Sequence, residues 1–403
     1  NNTLQLKLSY LKHKVSYTGN IMNSLKLPAN PKFSSGPCSK IPNWEASFLN
    51  NAILGRSHRS PICVSRIQEL ISETKSILKI PKDYEVAIVG GSDTGAFEMA
   101  MWSLLGAKGI DILAWDAFGR DWVTDVVDQL QIKNTNLIDA DYGFLPDLRK
   151  VNFNNDVIFT WNGTTAGVKV PNGDWIKDDR KGLTLCDATS AVLAMDIAWD
   201  KLDVTTFSWQ KVLGGEAQHG ILVLSPRAIK RLEEYKPTWP IPKLFRLANK
   251  GKFQAKIFQG STINTPSMLC IEDALNSLKW VKSIGGLNEM IKRSKSNLDV
   301  IEEWVKKTNW VAFLANDVES RSSTSICLKI KDPWFLDKDI AEQKNIIKSF
   351  FSILEEKEAA YDINHYPSAP LGIRIWGGGT IEQSNIKLLL PWLDWAWSNL
   401  SKV

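Results

Sequence analysis

Residues 205–215 read TTFSWQKVLGG, and the interpretation of the whole chain turns on them. A strand-like run over 203–209 delivers a lone Lys211, flanked by Gln210 and Val212, and Gly214-Gly215 then lets the chain turn sharply. A lysine at the end of a buried β-run is costly unless its ammonium pairs or loses its charge. One chemistry wants it there: a Schiff base, in which the neutral amine condenses with an aldehyde. Upstream, 183–191 reads LTLCDATSA, an apolar strand ending on Asp187, 24 residues (211 − 187) before the lysine. A carboxylate so placed can pair with the ring nitrogen of an aldehyde cofactor such as pyridoxal phosphate (PLP). The same two residues also fit a surface lysine and a turn aspartate at adjacent strand ends.

The flanking sequence alternates strands and helices. A short buried strand over 85–89 runs into Gly90-Gly91-Ser92-Asp93-Thr94-Gly95-Ala96, with a helix expected over 97–105. Strand, Gly-rich turn and helix together present free backbone N–H groups to a phosphate. The turn is neither GxGxxG nor a Walker sequence, so nucleotide binding is not favoured. Further strand-like runs fall at 111–115, 136–139, 156–161, 183–187, 204–209 and 221–224. This pattern predicts an α/β domain with a mainly parallel sheet, whose ligands gather beyond the carboxyl ends of the strands. Asp93, Thr94, Phe118, Asn162-Gly163-Thr164, Asp187 and Lys211 all sit where that rule puts them.

Three other stretches invite an anion. Residues 55–60, GRSHRS, pack two arginines and His58 into a short loop, either an oxyanion cradle or a solvated basic turn. The loop 258–266 ends on Asn264-Thr265-Pro266 before a helix expected over 267–283. Asn264 and Thr265 are therefore phosphate contacts at a helix N-terminus or simply its cap. In 372–376, GIRIW, Arg374 stands alone amid apolar residues and needs an anionic partner, either a substrate carboxylate or an internal acid.

The 403 residues are long enough for two domains. A helix over 62–80 is expected to stop at Pro81. Beyond Gly285-Gly286, strands at 325–330 and 371–376 with a helix at 340–357 between them suggest a smaller C-terminal unit. The Trp-rich end, with Trp392, Trp395 and Trp397, reads as core packing. Expected boundaries are an extension over 1–21, an extended Pro/Ser/Gly-rich segment over 22–60, a large cofactor domain over 61–283 and a small domain over 284–403.

The net charge of +5 does not indicate nucleic acid. The first 44 residues hold six lysines, no arginine and no acid, which leaves −1 for the rest of the chain. No apolar run approaches the ~20 residues that cross a bilayer. The cysteines Cys38, Cys63, Cys186, Cys270 and Cys327 are scattered without CxxC spacing, which argues for a reducing cytoplasm. Four histidines without i,i+4 spacing make a metal site an unattractive reading.

Taken together, KFSSGPCSK, GRSHRS, GGSDTGAFE, WNGTTAG, CDATSA, FSWQKVLGGEAQHG, INTPSM and GIRIW resemble the phosphoserine aminotransferases, most of all their longer bacterial and archaeal branch. The resemblance runs from about Pro28 to the C-terminus. It implies the fold-type I PLP-dependent transferase architecture: a large domain with a mostly parallel seven-stranded sheet, and a small α/β C-terminal domain. It further implies a homodimer with active sites at the subunit interface.

By match to motif, Lys211 is the implied Schiff-base lysine and Asp187 the partner of the pyridinium nitrogen. Phe118 is implied to stack on the cofactor ring and Thr164 to contact its 3-hydroxyl region. Asp93 and Thr94 through backbone N–H groups, and Gln210 through its side chain, are implied to hold the cofactor phosphate, joined by Asn264 and Thr265 of the other subunit. His58 and Arg59 match the substrate-phosphate pair, and Arg374 the α-carboxylate clamp. The implied reaction exchanges an amino group between L-glutamate and 3-phosphohydroxypyruvate, serving L-serine synthesis, with pyridoxine synthesis as a further route the resemblance raises. Many members carry a second His-Arg pair before the carboxylate arginine. Here His365-Tyr366 stands nearest, without the arginine and with different spacing. The rival reading is an aminotransferase of the serine–glyoxylate or alanine type acting on an unphosphorylated substrate.

Overall fold

The computed structural model describes residues 25–400; the extension expected over 1–21 lies outside the described residues. Seven strands make the central sheet: β1 (Glu85–Gly90), β2 (Ile110–Ala114), β3 (Thr135–Asp139), β4 (Asp156–Thr160), β5 (Thr184–Asp187), β6 (Val204–Ser208) and β7 (His219–Leu224). Their spatial order is β1-β7-β6-β5-β4-β2-β3. The run from β6 to β3 is parallel, and β7 lies antiparallel to both β6 and β1. Each strand lies within two residues of its expected ends. Strands covered on both faces are near-continuous apolar runs, easily seen in a sequence; every residue of β2, β4 and β6 is buried.

Helices α1 (Pro61–Leu78), α2 (Ser92–Leu104), α3 (Ala117–Thr124), α4 (Pro226–Glu234) and α5 (Met268–Ser283) accompany the sheet. Two helix ends differ from expectation. α1 stops at Lys79, whose left-handed backbone (φ 56°) turns its N–H onto the carbonyls of Lys75 and Ser76, so Pro81 is not the terminator. α2 begins at Ser92 instead of residue 97, because Gly91 (φ 89°) and Ser92 (φ 57°) both take the left-handed backbone and complete the turn between them. Ser, Asp and Thr had read as turn residues there, yet they are equally at home in the first turn of a helix.

The C-terminal part contains α6 (Gly286–Lys307), β8 (Val311–Phe313), β9 (Ser325–Ile330), α7 (Ile340–Glu356), β10 (Gly372–Trp376) and α8 (Gln383–Leu400). β8, β9 and β10 form an antiparallel sheet; the three-residue β8 was too short to be seen in the sequence. Trp392 and Trp397 are buried, and Trp397 stacks on Trp310 with centroids 4.7 Å apart, so these aromatics do pack a core.

Polar contacts tie this small sheet to the loops after β4 and β5. Thr324 Oγ1 donates to the Ser190 carbonyl (2.7 Å), Asn162 Nδ2 donates to Ser190 Oγ (2.8 Å), and Ser325 Oγ donates to the Thr164 carbonyl. A Cβ on Gly167 would meet Cys327 Cβ at 2.9 Å, so the WNGTTAG loop packs directly on β9. The segment before α1 reaches both regions: Phe33 accepts from Trp376 N–H (3.1 Å), and Cys38 N–H donates to the Gln210 carbonyl (2.8 Å).

Candidate active site

Lys211 lies three residues beyond the end of β6. Its Nζ donates to the Ser35 carbonyl at 2.5 Å. The left-handed turn at Gly214 (φ 67°) packs against the Ser39 carbonyl, where no side chain would fit. Burial pushes the Lys211 ammonium pKa down and the Arg374 charge pushes it the same way, against the opposing pull of Cys38, Asp187 and Asp93. A buried amine without a carboxylate bonded to it is biased toward the neutral, nucleophilic form. The alternative of a solvated surface lysine is excluded.

Asp187 ends β5, next to β6, where it pairs in register with Thr206. It accepts from Trp122 Nε1 (3.2 Å) and Thr189 N–H (3.0 Å). Trp122 escaped notice in the sequence, because nothing in α3 marks it as a partner of a residue 65 positions away. Phe118, on the same helix, places its ring 5.9 Å from Lys211 Nζ. Asp116 caps α3 by accepting from Gly119 N–H (2.8 Å), and burial raises its carboxyl to about 6.

The Gly-rich turn contributes less side-chain chemistry than expected and more backbone. Gly91 and Ser92 N–H bond to the Gln218 carbonyl (3.1 and 3.4 Å). The N–H groups of Asp93 and Thr94 have no protein acceptor among the described residues and lie in the first turn of α2, where an anion is favoured. Gln210 Nε2 donates to Ser92 Oγ at 2.7 Å, which brings that side chain to the same helix end. The Asp93 carboxyl is buried, and desolvation, followed by the nearby Asp187 charge, raises it well above the ordinary carboxylate range. Thr164 is buried beside Asn162, its hydroxyl bonded to Ser190 Oγ at 2.8 Å.

Arg374 sits mid-strand on β10, opposite Cys327 of β9. It makes no ion pair among the described residues, and its Nε is buried without a partner. No internal acid pairs with Arg374 among the described residues. Lys211, Asp187, Asp93, Thr94, Gln210, Phe118, Thr164 and Arg374 thus lie beyond the carboxyl ends of β1, β2, β4, β5 and β6 and on the small sheet that faces them.

Four predicted site residues stand apart from that group. Arg59 is exposed and donates to the Thr262 carbonyl at 2.7 Å, and His58 precedes it. Asn264 and Thr265 are exposed on that same loop, while the cap of α5 is Ser267, which accepts from Cys270 N–H at 3.3 Å. The simple capping role is therefore excluded for Asn264 and Thr265. Among the described residues no hydrogen bond joins these four to Lys211 or Arg374.

A PLP fit can be judged from the polar atoms the fold leaves over. Asp93 Oδ1, Asn162 Oδ1, Thr189 Oγ1, Thr206 Oγ1, Ser208 Oγ and Gln210 Oε1 are all buried without partners. Buried polar atoms are normally satisfied, and these cluster at the strand ends around the free N–H groups of α2. A group carrying a phosphate, a ring nitrogen and a hydroxyl matches such a lining.

No protein-family profile matches the chain. It is 54% identical over 376 residues to a phosphoserine aminotransferase of Methanosarcina mazei, spanning 93% of this chain and 99% of the relative. A phosphoserine aminotransferase of Methanosarcina barkeri is 53% identical over 377 residues, spanning 94% and 99%. Among solved structures, a phosphoserine aminotransferase of Cytophaga hutchinsonii superimposes with a TM-score of 0.78 at 19% identity, covering 91% of this chain and 98% of that one. A ureidoglycine–glyoxylate aminotransferase of Bacillus subtilis gives 0.74 at 14% identity over 93% and 95%, a likeness of fold alone.

A seven-stranded, mostly parallel sheet with Lys211 and Asp187 at its carboxyl edge is the fold-type I PLP-dependent transferase architecture. Within that class, the identity to the two Methanosarcina enzymes is decisive: the chain belongs to the phosphoserine aminotransferase family.

Proposed function

We infer that the protein moves an amino group reversibly between L-glutamate with 3-phosphohydroxypyruvate and 2-oxoglutarate with O-phospho-L-serine, a step of L-serine synthesis. The observation that carries this reading is the pairing of a buried, deprotonation-biased Lys211 with an uncompensated Arg374, in a chain of this family.

PLP, when bound, supplies an aldehyde that condenses with amines and a ring that takes up the electrons released at the substrate α-carbon. Arg374 binds the α-carboxylate through its planar fork and orients the α-carbon toward Lys211. Lys211 Nζ, its pKa lowered by desolvation, takes the α-proton and later returns it, serving as base and then acid. Asp187, held by Trp122 and Thr189, keeps a proton on the cofactor ring nitrogen. The N–H groups of Asp93 and Thr94, with Gln210, would hold the cofactor phosphate, Thr164 the 3-hydroxyl side, and Phe118 would cover the ring.

His58, Arg59, Asn264 and Thr265 are read as acting in the site of a second copy of the chain. His58 and Arg59 would recognise the substrate phosphate, and Asn264 and Thr265 would reach the cofactor phosphate. Their separation from Lys211 within one chain and the exposure of Arg59, Asn264 and Thr265 support a homodimer with shared sites. Five free cysteines support a reducing compartment, the cytoplasm. Among the described residues no helix is long and apolar enough to cross a membrane.

The test mixes the PLP-loaded protein with excess O-phospho-L-serine and, separately, L-serine, and follows loss of the cofactor's aldehyde absorbance. Rapid loss with phosphoserine only is expected. Equal or faster loss with serine would discard the phosphorylated substrate and favour the serine–glyoxylate type.

A further inference from the structure

Tyr366, next to His365 and eight residues before Arg374, has a task of its own in the structure. The Arg374 guanidinium lies over the Tyr366 ring, 5.7 Å from its centroid. The far side of the contact continues: the Tyr366 and Phe118 rings are 5.6 Å apart and tilted by 54°. Phe118 in turn lies 5.9 Å from Lys211 Nζ. An arginine, two aromatic rings and the lysine amine therefore form one unbroken row across the site.

The loop bearing Tyr366 is held at both ends of its turn. Ala369 N–H donates to the Tyr366 carbonyl at 2.9 Å, and Tyr142 and Ser368 hydroxyls meet at 2.9 Å, fastening the loop to the large domain. His365, beside it, is pushed toward its neutral form chiefly by burial, with the Arg374 charge adding to the effect against a hydrogen bond at Gly372. The row contains no carboxylate.

We propose that Tyr366 is a positioning residue for the substrate carboxylate, its ring, backed by Phe118, fixing the Arg374 guanidinium without neutralising it. This rests on the aminotransferase reading of the site. The physical distinction is what matters: an acid beside Arg374 would hold it equally well but consume the charge the substrate needs, whereas an aromatic face orients a guanidinium and leaves its N–H fork free. Because both amino donors present an α-carboxylate, the effect must be shared by both and must not depend on the phosphate.

The experiment measures kcat and KM of the PLP-loaded wild type, Tyr366→Phe, Tyr366→Leu and Tyr366→Gln, with L-glutamate and O-phospho-L-serine as separate amino donors. Tyr366→Leu and Tyr366→Gln are expected to raise KM for both donors about tenfold with kcat nearly unchanged, while Tyr366→Phe, which keeps the face, stays close to wild type. Unchanged KM values in properly folded Leu or Gln variants overturn the proposal. So does a loss in Tyr366→Phe that equals that of Tyr366→Leu and is confined to phosphoserine, since that would make the hydroxyl a phosphate contact. A wild type active with glutamate but inert to phosphoserine would instead sink the substrate assignment, leaving the glutamate KM series to judge Tyr366.

Discussion

The Lys211 amine and the Ser35 carbonyl are 2.5 Å apart, although 176 residues separate them in the chain. The N-terminal segment thus lies directly over the reactive lysine. Gly36 is the residue that permits it, since any Cβ there would collide with Lys211 Nζ, and its backbone (φ 151°) disfavours a side chain as well.

Gly36→Ala should therefore fold but bind PLP poorly, at least tenfold more weakly than wild type, with Lys211 driven from its place. Lys211→Ala should abolish turnover. Cofactor absorbance after gel filtration checks the first, and steady-state rates of the PLP-supplemented variant check the second. Full PLP retention by Gly36→Ala would show that the segment shifts aside at little cost.

The indole of Trp122 supplies one of the two N–H bonds to Asp187. Hydrogen bonds to a charged group are worth about 1.5–3 kcal/mol. Trp122→Phe should lower kcat roughly tenfold or more while leaving KM for glutamate largely unchanged. Steady-state kinetics decides, and an unaltered kcat would remove Trp122 from the catalytic arrangement.

Arg374→Leu should raise KM for both amino donors by two orders of magnitude or more, because a charged hydrogen-bonding fork is lost. Arg374→Lys should recover only a small part, since an ammonium lacks the planar fork. A Leu variant with normal KM would place the carboxylate elsewhere.

If sites are shared between copies, Lys211→Ala and Arg59→Ala should each be defective as purified. Refolding them together should then restore about a quarter of wild-type activity, since half of the dimers are mixed and one of their two sites is intact. Activity that stays at the level of the separate variants would confine His58 and Arg59 to their own chain or remove them from the site.

His219 bears on stability. Its Nε2 accepts from Ser267 N–H at 3.2 Å, and burial lowers its pKa from 6.5 to about 4. The unfolded chain takes up this proton at a higher pH than the folded one, so stability is lost as pH falls from 6.5 toward 4. At ~1.4 kcal/mol per unit, the apoprotein should be roughly 2 kcal/mol less stable at pH 5 than at pH 7 through this residue. Urea unfolding of wild type and His219→Gln at both pH values tests it: the pH sensitivity should shrink in the variant.

The sequence alone determined the strands of the central sheet, the placement of Lys211 and Asp187 at strand ends, and the resemblance that led to the family. Each of these is local: a buried parallel strand is an apolar run, and a motif is a spacing along the chain. Local composition misled where one set of residues serves two structures, as Ser92, Asp93 and Thr94 do in opening α2 instead of prolonging a turn.

Only the tertiary structure decided the strand order, the choice between a free and a paired Arg374, and the contacts of Ser35, Trp122 and Tyr366 with the site. It alone separated His58, Arg59, Asn264 and Thr265 from the lysine. Those facts depend on which loops the sheet brings together across long stretches of chain. Burial and charge pairing are properties of that assembled neighbourhood, and no single segment carries them.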